Sequence, residues 1–538
     1  MNFFNRAIKN ITRKLSKTVL LILTFFLIGN LVIIGLSVAK ASDTAKTLAR
    51  QKMRAVITYQ IDYDKFYYDA EQIEDEDERN KFYENYPRIK LADVKEVLKD
   101  ERVKTANAIS NNTIYATEGG IDYVHLNNQA EQNIEEWGGQ QCYFDGMTNE
   151  EVCESYAEPS FFVKGNYLPD MIELVEGKYK VEKGRFYNEE EIDKFAKVCL
   201  ITEELAEANG VSVGDTIKLA YSNLDRWLKD TGVTQEDLNF ELEVIGIYSH
   251  TDKITPDNSN YDYTYPYENP SNVILMPATT VYALSLPIQQ KQWNYYKELY
   301  PDDPYYSNPE YYPSIENMIN QDLYDVYILL NDPLEVDEFV EEYKNKAGDY
   351  KKLNANNDEF NRLAKPLDTL SSYAEFIVWL VVINAIVIIT LVTALTLKTR
   401  EYEIGVLLSI GASKFKVIAQ FFIELAIVAL LGFTLAVGSG SIISKKVGYT
   451  LLDNQIQSEG LGDKDEYEYG NDYISPWNTD YTSDISLEDI VAEYDVTVSP
   501  LIIGEIYVVG LGIVLISVFI PSIMIMRFNP KKILMNQY

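Results

Sequence analysis

Few side chains in this 538-residue chain have the type and spacing that covalent chemistry requires. The two histidines, His125 and His250, lie neither in a catalytic-triad pattern nor at the spacing of a metal site. Acidic pairs are frequent, but they are expected in a chain with 82 Asp and Glu residues. The phosphate-binding pattern G-x-x-x-x-G-K-[ST] does not occur. The sequence therefore predicts no catalytic residues, no metal ligands and no site for ATP hydrolysis; a membrane-anchored hydrolase is the alternative.

Charge is distributed unevenly along the chain. The net charge is −34, yet three short segments are basic. Segment 1–17 has five basic and no acidic residues, segment 398–416 has four basic and two acidic residues, and segment 527–538 has three basic and no acidic residues. The acidic excess lies in the long polar segments between these patches. A total this acidic argues against nucleic acid as a partner, because phosphate contacts require Lys and Arg.

Four apolar runs are long enough to cross a bilayer, and they lie at 18–39, 376–397, 417–443 and 501–526. The first has 22 residues without charge. As a helix it is ~33 Å long, against a hydrocarbon core of ~30 Å. The basic patches predict cytoplasmic N- and C-termini in a multi-pass protein of the cell membrane. A cleaved signal peptide is the alternative for the first run, but its length and the three later runs favour a retained helix.

The long segment between the first two runs has the pattern of a mixed domain. Stretches at both of its ends, 42–66 and 357–372, favour stalk helices that extend the neighbouring spans. The segment 444–500 is a second polar stretch, which we expect to be a loop. Strand-like runs within the mixed domain occur at 161–165, 198–201, 216–219, 241–248, 272–277 and 325–330.

Residues 252–312 are dense in Tyr, Pro, Asn and Asp. Proline at this frequency disfavours both helix and sheet, so we expect an irregular, solvated connection. The alternative is a stacking surface on which tyrosine rings and carboxylates hold a cationic peptide or a glycan.

The stretch 398–424 joins the second and third apolar runs and has a distinctive order of residue types. Charged residues at 400–403 precede the apolar patch 404–408, which is too short to span a membrane. Gly411 can take a positive φ and Ser413 can cap the helix that follows, which predicts a turn. The pattern therefore predicts a short amphipathic helix and a turn, and by itself it is equally typical of an ordinary connecting loop.

This stretch resembles the coupling segment of the MacB/FtsX family of ABC-transporter permeases, whose pattern R..EIG.L.AIGAS...I...F..E joins the second and third membrane helices. The polar segment carries elements similar to the family's core domain, such as Gly184-Arg185-Phe186 and the strand at 241–248. The N-terminal run N-F-F-N-R-A-I-K-N-I-T-R-K is most similar to the Vex-type permeases of that family. The matching residues of the coupling segment are Arg400, Glu403, Ile404, Gly405, Ile410, Gly411, Ala412, Ser413, Gln420 and Glu424.

The resemblance implies a membrane α-helical fold with four transmembrane helices and a large extracytoplasmic α+β MacB-like core domain on stalk helices. In the family, the coupling segment contacts a cytoplasmic ATPase subunit. The resemblance implies this role for Arg400, Glu403, Ile404, Gly405, Ile410, Gly411, Ala412, Ser413 and Lys414. The expected domains are a cytoplasmic N-terminus (1–17), TM1 (18–39), the extracytoplasmic domain (40–375), TM2 (376–397), the coupling segment (398–416), TM3 (417–443), an extracytoplasmic loop (444–500), TM4 (501–526) and a cytoplasmic tail (527–538).

The family implies a permease subunit, not itself an enzyme, that couples ATP hydrolysis on a separate ATPase dimer to motion of the outer domain. ATP and Mg are then bound by that partner, and this chain binds no cofactor. Further implied partners are the lipid bilayer and a second permease, which is the same or a homologous chain. The expected process is export of, or resistance to, a peptide, toxin or drug.

Other functions are compatible with the same membrane half. Within the family they are FtsX-like regulation of a cell-wall hydrolase and extraction of a lipoprotein or lipid. Outside the transporter class, the alternative is a four-span sensor or adhesin. The coupling motif argues against this last class, because a sensor has no need of an ATPase contact.

Two pairs of residues are further candidates for a role. Glu424 and Glu505 lie at the membrane edge. Glu424 matches the family pattern, which favours a salt bridge or an ATPase-side contact. Glu505 is expected to be hydrated. Cys142 and Cys153 flank a polar loop. In an oxidising compartment they would form a disulfide, and the alternative is two unpaired thiols.

Overall fold

The computed structural model describes residues 3–13, 15–125, 159–224, 226–251, 266–315, 323, 325–344, 346–461 and 486–526. These residues fall into two compact units. One, the membrane unit, combines the chain up to Lys52 with the chain from Asp358 onwards. The other, the sheet unit, lies between them, from Met53 to Asn357.

Helices and strands are labelled in chain order. The helices are α1 (Phe3–Arg13), α2 (Leu15–Lys52), α3 (Tyr63–Glu71), α4 (Glu76–Glu84), α5 (Leu91–Val97), α6 (Ile172–Val175), α7 (Glu189–Asp193), α8 (Glu203–Asn209), α9 (Arg226–Asp230), α10 (Gln235–Leu238), α11 (Ala278–Leu299), α12 (Pro304–Ser307), α13 (Val336–Tyr343), α14 (Asp358–Thr399), α15 (Glu401–Ser409), α16 (Lys414–Ser458), α17 (Leu487–Ala492) and α18 (Pro500–Met526). The strands are β1 (Val56–Ile61), β2 (Val103–Tyr115), β3 (Ser160–Asn166), β4 (Tyr179–Gly184), β5 (Val198–Thr202), β6 (Thr216–Ala220), β7 (Asn239–His250), β8 (Val273–Pro277), β9 (Asp325–Leu330) and β10 (Lys351–Asn354).

The membrane unit is a bundle of long apolar helices. Among the described residues, α2, α14, α16 and α18 are long and apolar enough to cross a membrane. α2 packs against both α14 and α16, and α18 packs against the same two helices. The bundle core includes Phe25 and Phe433, whose rings meet edge to face with centroids 5.5 Å apart.

Small residues permit this close packing. A Cβ on Gly510 would lie 2.0 Å from the ring of Phe433, and a Cβ on Gly432 would lie 2.6 Å from the side chain of Phe25. Any larger residue at either position would therefore force the helices apart. By contrast, Gly438 faces open space, so its role is not helix packing.

The membrane unit contains two helical segments that the sequence analysis did not predict. Residues 1–17, which we expect to be the cytoplasmic N-terminus, contain the helix α1, which packs against α16. The segment 444–500 was expected to be a loop, yet α16 continues to Ser458. The continuation is packed rather than free, because Ser444, Gly448 and Leu452 are buried.

Six strands of the sheet unit close on themselves. β2, β3, β8, β5, β7 and β6 are hydrogen-bonded in that order, and β6 returns to β2 through the pair Tyr115 and Ala220. The β3–β8 and β5–β7 pairs are parallel, and the other pairs in this ring are antiparallel. Alternate side chains point into the ring, so Phe161 and Cys199 join its inner core while Phe162 lies in the cluster on the outer face. Burial raises the pKa of the Cys199 thiol, which makes it an unreactive core residue.

A second part of the sheet extends the same β2 strand. β9 pairs with β2, β1 pairs with β9, and β10 forms the edge, all antiparallel. Phe339 of α13 and Val94 of α5 cover this part with fully buried side chains. Buried clusters therefore lie inside the ring, on its outer face around Phe162 and under these helices.

The Gly184-Arg185-Phe186 element has a structural explanation. Gly184 has a φ of +76°, which only glycine adopts easily, and its missing Cβ lets it approach the backbone of Ile245. The Arg185 guanidinium then donates to both carboxylate oxygens of Glu191, at 2.7 and 2.6 Å. The nearby guanidinium holds the pKa of Glu191 below its usual value.

Two expectations for the sheet unit are wrong. The first stalk was expected to run over 42–66, but α2 ends at Lys52 and residues 56–61 form strand β1 between β9 and β10. The Tyr- and Pro-rich segment 252–312 was expected to be irregular. In its described part, the strand predicted at 272–277 is present as β8, but the 22-residue helix α11, which accommodates Pro287, follows it and was not predicted.

A buried ion pair lies at the centre of the sheet unit. Lys164 of β3 and Glu173 of α6 form a salt bridge in which both side chains are 2% exposed. Asn107 donates a hydrogen bond to the second carboxylate oxygen of Glu173 at 2.8 Å. Because neither charge reaches water, each depends on the other.

Replacing Lys164 with Met should destabilise the sheet unit by about 3–5 kcal/mol, because Glu173 is left buried and uncompensated. The double variant Lys164→Met, Glu173→Leu should recover most of that loss. Thermal unfolding of the purified full chain measures both. Lys180→Met is the matched control, since Lys180 and Glu182 form an exposed pair whose loss should have almost no effect on stability. An equal loss of stability in Lys164→Met and Lys180→Met would contradict the dependence of Glu173 on its buried partner.

Candidate functional site at the coupling end

The coupling segment is a helix, a turn and the start of a second long helix. After α15, Gly411 has a φ of +94°, in the left-handed region that favours glycine, and its N–H donates to the carbonyl of Leu408. The Ser413 hydroxyl then accepts a hydrogen bond of 3.4 Å from the N–H of Lys416 and so caps α16. The helix and the turn predicted for this stretch are therefore both present.

The inner face of the segment is apolar and buried. Ile404 is 2% exposed and packs against Leu397, Val417 and Phe421. Gly405 beside it is also buried. This small cluster holds α15 against the ends of α14 and α16.

Glu424 is the centre of a buried polar network. Its Oε2 accepts a hydrogen bond of 2.8 Å from Nη1 of Arg400, in an ion pair whose side chains are 8% (Arg400) and 11% (Glu424) exposed. Its Oε1 accepts from Nδ2 of Asn10 at 2.9 Å and from Nε2 of Gln420 at 3.1 Å. The guanidinium also lies 5.4 Å from the ring centre of Phe421. α1, the end of α14 and α16 therefore meet at one carboxylate.

Because these side chains are buried, the stability of each charge in the network depends on its hydrogen-bond partners. An ion removed from water loses several kcal/mol of hydration, which good geometry and additional hydrogen bonds must offset. Glu424 has three donors, so its negative charge is well compensated. Arg400, Gln420 and Glu424, which match the family pattern, thus bond to one another and stabilise the end of the bundle.

The outer face of the segment exposes large apolar side chains. Ile410 is 79% exposed, Phe415 is 78% exposed and Tyr402 is 51% exposed. An apolar patch of this kind on a folded protein is typical of a docking surface. The remaining pattern residues on this face are exposed or half-buried: Glu403, Gly411, Ala412, Ser413 and Lys414.

Sequence reasoning missed three residues of this site. Asn10 lies in α1, whose basic residues recur at helical spacing, and this spacing was the signal that could have identified the helix. Tyr402 and Phe415 lie inside the coupling segment but outside the matched pattern. Only the structure shows that their side chains are exposed beside Ile410.

The other candidate residues lie elsewhere. Glu505 is exposed near the start of α18 and does not line the network around Glu424. Cys142 and Cys153 lie outside the described residues. Among the described residues, no group of three or more His, Cys, Asp and Glu side chains is placed to hold a metal ion.

Replacing Glu424 with Gln should destabilise the membrane unit by about 3–5 kcal/mol, because Arg400 is left buried without a counter-charge. Thermal unfolding of the purified chain in detergent measures the loss. The matched control is Glu505→Gln, an identical change at an exposed position, which should have almost no effect. A Glu424→Gln variant as stable as this control would show that the buried pair does not hold the bundle end.

Comparison with known proteins identifies the two units separately. A model described as the MacB-like periplasmic core domain matches residues 31–346, more than half of the chain. A model described as the FtsX-like permease C-terminal domain matches residues 375–530.

Individual relatives resemble the chain at low identity. An uncharacterized ABC transporter permease of Bacillus subtilis (strain 168), YclI, is 26% identical over 555 residues and is matched over the full length of both chains. The periplasmic region of MacB from Actinobacillus actinomycetemcomitans is 11% identical, with a TM-score of 0.27, over 57% of this chain and 92% of that one. The extracellular domain of YknZ from Gram-positive bacteria is 9% identical, with a TM-score of 0.25, over 55% of this chain and 98% of that one.

The two family models lie in the order that the sequence predicts. The first covers strands β1 to β9 of the sheet unit, and the second covers α16, α18 and the coupling segment between the second and third membrane helices. The chain therefore belongs to the MacB/FtsX-type family of ABC transporter permeases.

Proposed function

We propose that this chain couples ATP hydrolysis on a separate ATPase dimer to motion of its own extracytoplasmic domain. ATP and Mg are bound by the ATPase in this scheme, and the permease contributes no catalytic group. The process we propose is export of, or resistance to, a peptide, toxin or drug. A second permease, the same or a homologous chain, completes the assembly.

The observation that carries this proposal is the exposed apolar patch of the coupling segment. Ile410 and Phe415 flank the turn between α15 and α16 and are each nearly four-fifths exposed. The buried network on the opposite face fixes the helix that presents them. A rigid segment with an apolar outer surface is suited to bind a partner protein and to be displaced when that partner moves.

Charge supports a cytoplasmic position for this end of the membrane unit. Cytoplasmic flanks of membrane proteins are rich in Lys and Arg. With this orientation both termini are cytoplasmic, and the sheet unit is extracytoplasmic. The basic residues near the ends of the helices here are Lys9, Arg13, Lys17, Lys398, Lys414 and Lys416.

The length of the helices supports mechanical transmission. α14 has 42 residues and α16 has 45. At 1.5 Å per residue they are ~63 and ~68 Å long, about twice the thickness of a hydrocarbon core. A displacement of the coupling segment would therefore tilt continuous helices that extend well beyond the membrane. The physical basis is a two-state bundle whose equilibrium depends on the nucleotide bound by the partner.

An aromatic cluster on the sheet unit supports a peptide or another organic molecule as the substrate. Trp293 of α11 is buried beneath Tyr305 and Tyr306, with ring centroids 5.1 Å from each. Tyr305 stacks on Tyr311, and both side chains are about half exposed. Exposed tyrosine rings offer apolar area together with hydrogen-bonding hydroxyl groups.

Truncating the exposed patch should detach the ATPase without unfolding the permease. In the double variant Ile410→Ala, Phe415→Ala, the amount of ATPase that co-purifies with the permease from native membranes should fall at least about tenfold. The reason is that two large apolar side chains no longer become buried when the ATPase docks. Quantitative mass spectrometry of the purified complex, with and without nucleotide, measures this. The thermal unfolding midpoint of the permease should not change, since both side chains are exposed.

The matched control truncates two exposed apolar side chains of the sheet unit, Val213→Ala and Leu334→Ala. It should retain the ATPase at the native level. Absence of any ABC ATPase from the native preparation under every nucleotide condition would contradict the proposed coupling. Equal losses in both double variants would show that the coupling segment is not the docking surface.

A further inference from the structure

An open cavity lies within the membrane unit beside the Arg400–Glu424 pair. Its walls are formed by the α1–α2 junction, the end of α14 and the third turn of α16 onwards. One side of the wall is polar and the other is apolar, with Leu21 and Val428 among the apolar residues. The polar residues used below are Asn10, Lys17, Thr18, Thr393, Thr396 and Arg400.

The polar wall presents donors that lack acceptors. Nε of Arg400 and Oγ1 of Thr393 are buried and have no hydrogen-bond partner among the described residues. The hydroxyls of Thr18 and Thr396, by contrast, already donate to backbone carbonyls at 3.0 and 2.8 Å. Since arginine can only donate, the missing partner is a group with acceptor oxygens.

The charges of the wall favour an anion. Among the described residues of the wall, Lys17 and Arg400 are positive and Glu424 is the one carboxylate, so these ionisable groups sum to one positive charge. Glu424 is already bonded to Asn10, Gln420 and Arg400, so its oxygens are well compensated. Only one of the five N–H donors of Arg400 is directed at that carboxylate, through Nη1.

The depth of the cavity distinguishes between anions. Lys17 directly precedes the first apolar run, and Arg400 directly follows α14, so both lie where a helix leaves the hydrocarbon core. Below them the wall also contains apolar side chains, among them Leu21, Leu425 and Val428, and Leu20 and Leu23 on α2 are exposed at 63% and 52%. A ligand with a phosphate at this level and an acyl chain below it matches both parts of the wall.

We propose that this cavity binds the phosphate group of an anionic phospholipid, with Lys17 and the free N–H groups of Arg400 as the donors. The lipid then contacts the same guanidinium that holds the coupling segment through Glu424. Lipid composition would thereby tune the stability of the coupling end. This inference requires a membrane around the bundle but does not require the ATPase.

The test uses the full-length chain in a neutral detergent after delipidation. Dioctanoyl phosphatidylglycerol, dioctanoyl phosphatidylcholine and inorganic phosphate are titrated separately, and the thermal unfolding midpoint is followed. The anionic lipid should raise the midpoint saturably, whereas the neutral lipid and inorganic phosphate should not. Lys17→Gln should weaken binding of the anionic lipid about fivefold, and Lys17→Arg should retain it.

Lys416→Gln is the matched control, because it removes the same charge from an exposed lysine near the start of α16 that does not line the cavity. It should leave binding of the anionic lipid unchanged. Equal weakening by Lys17→Gln and Lys416→Gln would reduce the effect to general surface attraction. A midpoint raised as much by inorganic phosphate would identify a free-anion site, and equal responses to both lipids would show that the cavity does not recognise the charge of the headgroup. Each of these three results overturns the proposal.

Discussion

A guanidinium and a carboxylate that are removed from water hold the coupling end of the membrane unit together. Arg400 follows one long helix, Glu424 lies in the third turn of the next, and the coupling segment is the chain between them. In an apolar environment neither charge is stable alone, so the segment is confined to arrangements in which the pair is intact. Asn10 adds the N-terminal helix to the same carboxylate. The position of the exposed patch depends on this pair.

The family pattern of this segment combines two physical requirements. Arg400 and Ile404 face inward, where one forms the buried ion pair and the other packs in an apolar cluster. Ile410 faces outward with most of its side chain exposed, and Gly411 provides the backbone conformation that turns the chain there. One short motif thus determines both how the segment is held and what it presents.

The places where sequence reasoning failed share one cause. Strand β1 directly follows a long helix, and its strand conformation depends on β9 and β10, which lie far along the chain. Helix α11 contains Pro287 and follows a Pro-rich stretch, yet the burial of Val281, Leu284 and Ile288 on one face stabilises it. In each case tertiary contacts outweighed a local preference that pointed elsewhere.

The sequence by itself determined the four apolar spans, the helix and turn of the coupling segment and the strands predicted in the sheet unit. These features depend on the length of an apolar run, a capping residue or a local alternation, all of which lie within a few residues. Only the tertiary structure decided the closure of the six-stranded ring, the side of the coupling segment on which each pattern residue lies, and the cavity beside Arg400. The physical reason is that their partners are distant: Asn10 and Glu424 are 414 residues apart, and no local pattern specifies that they meet.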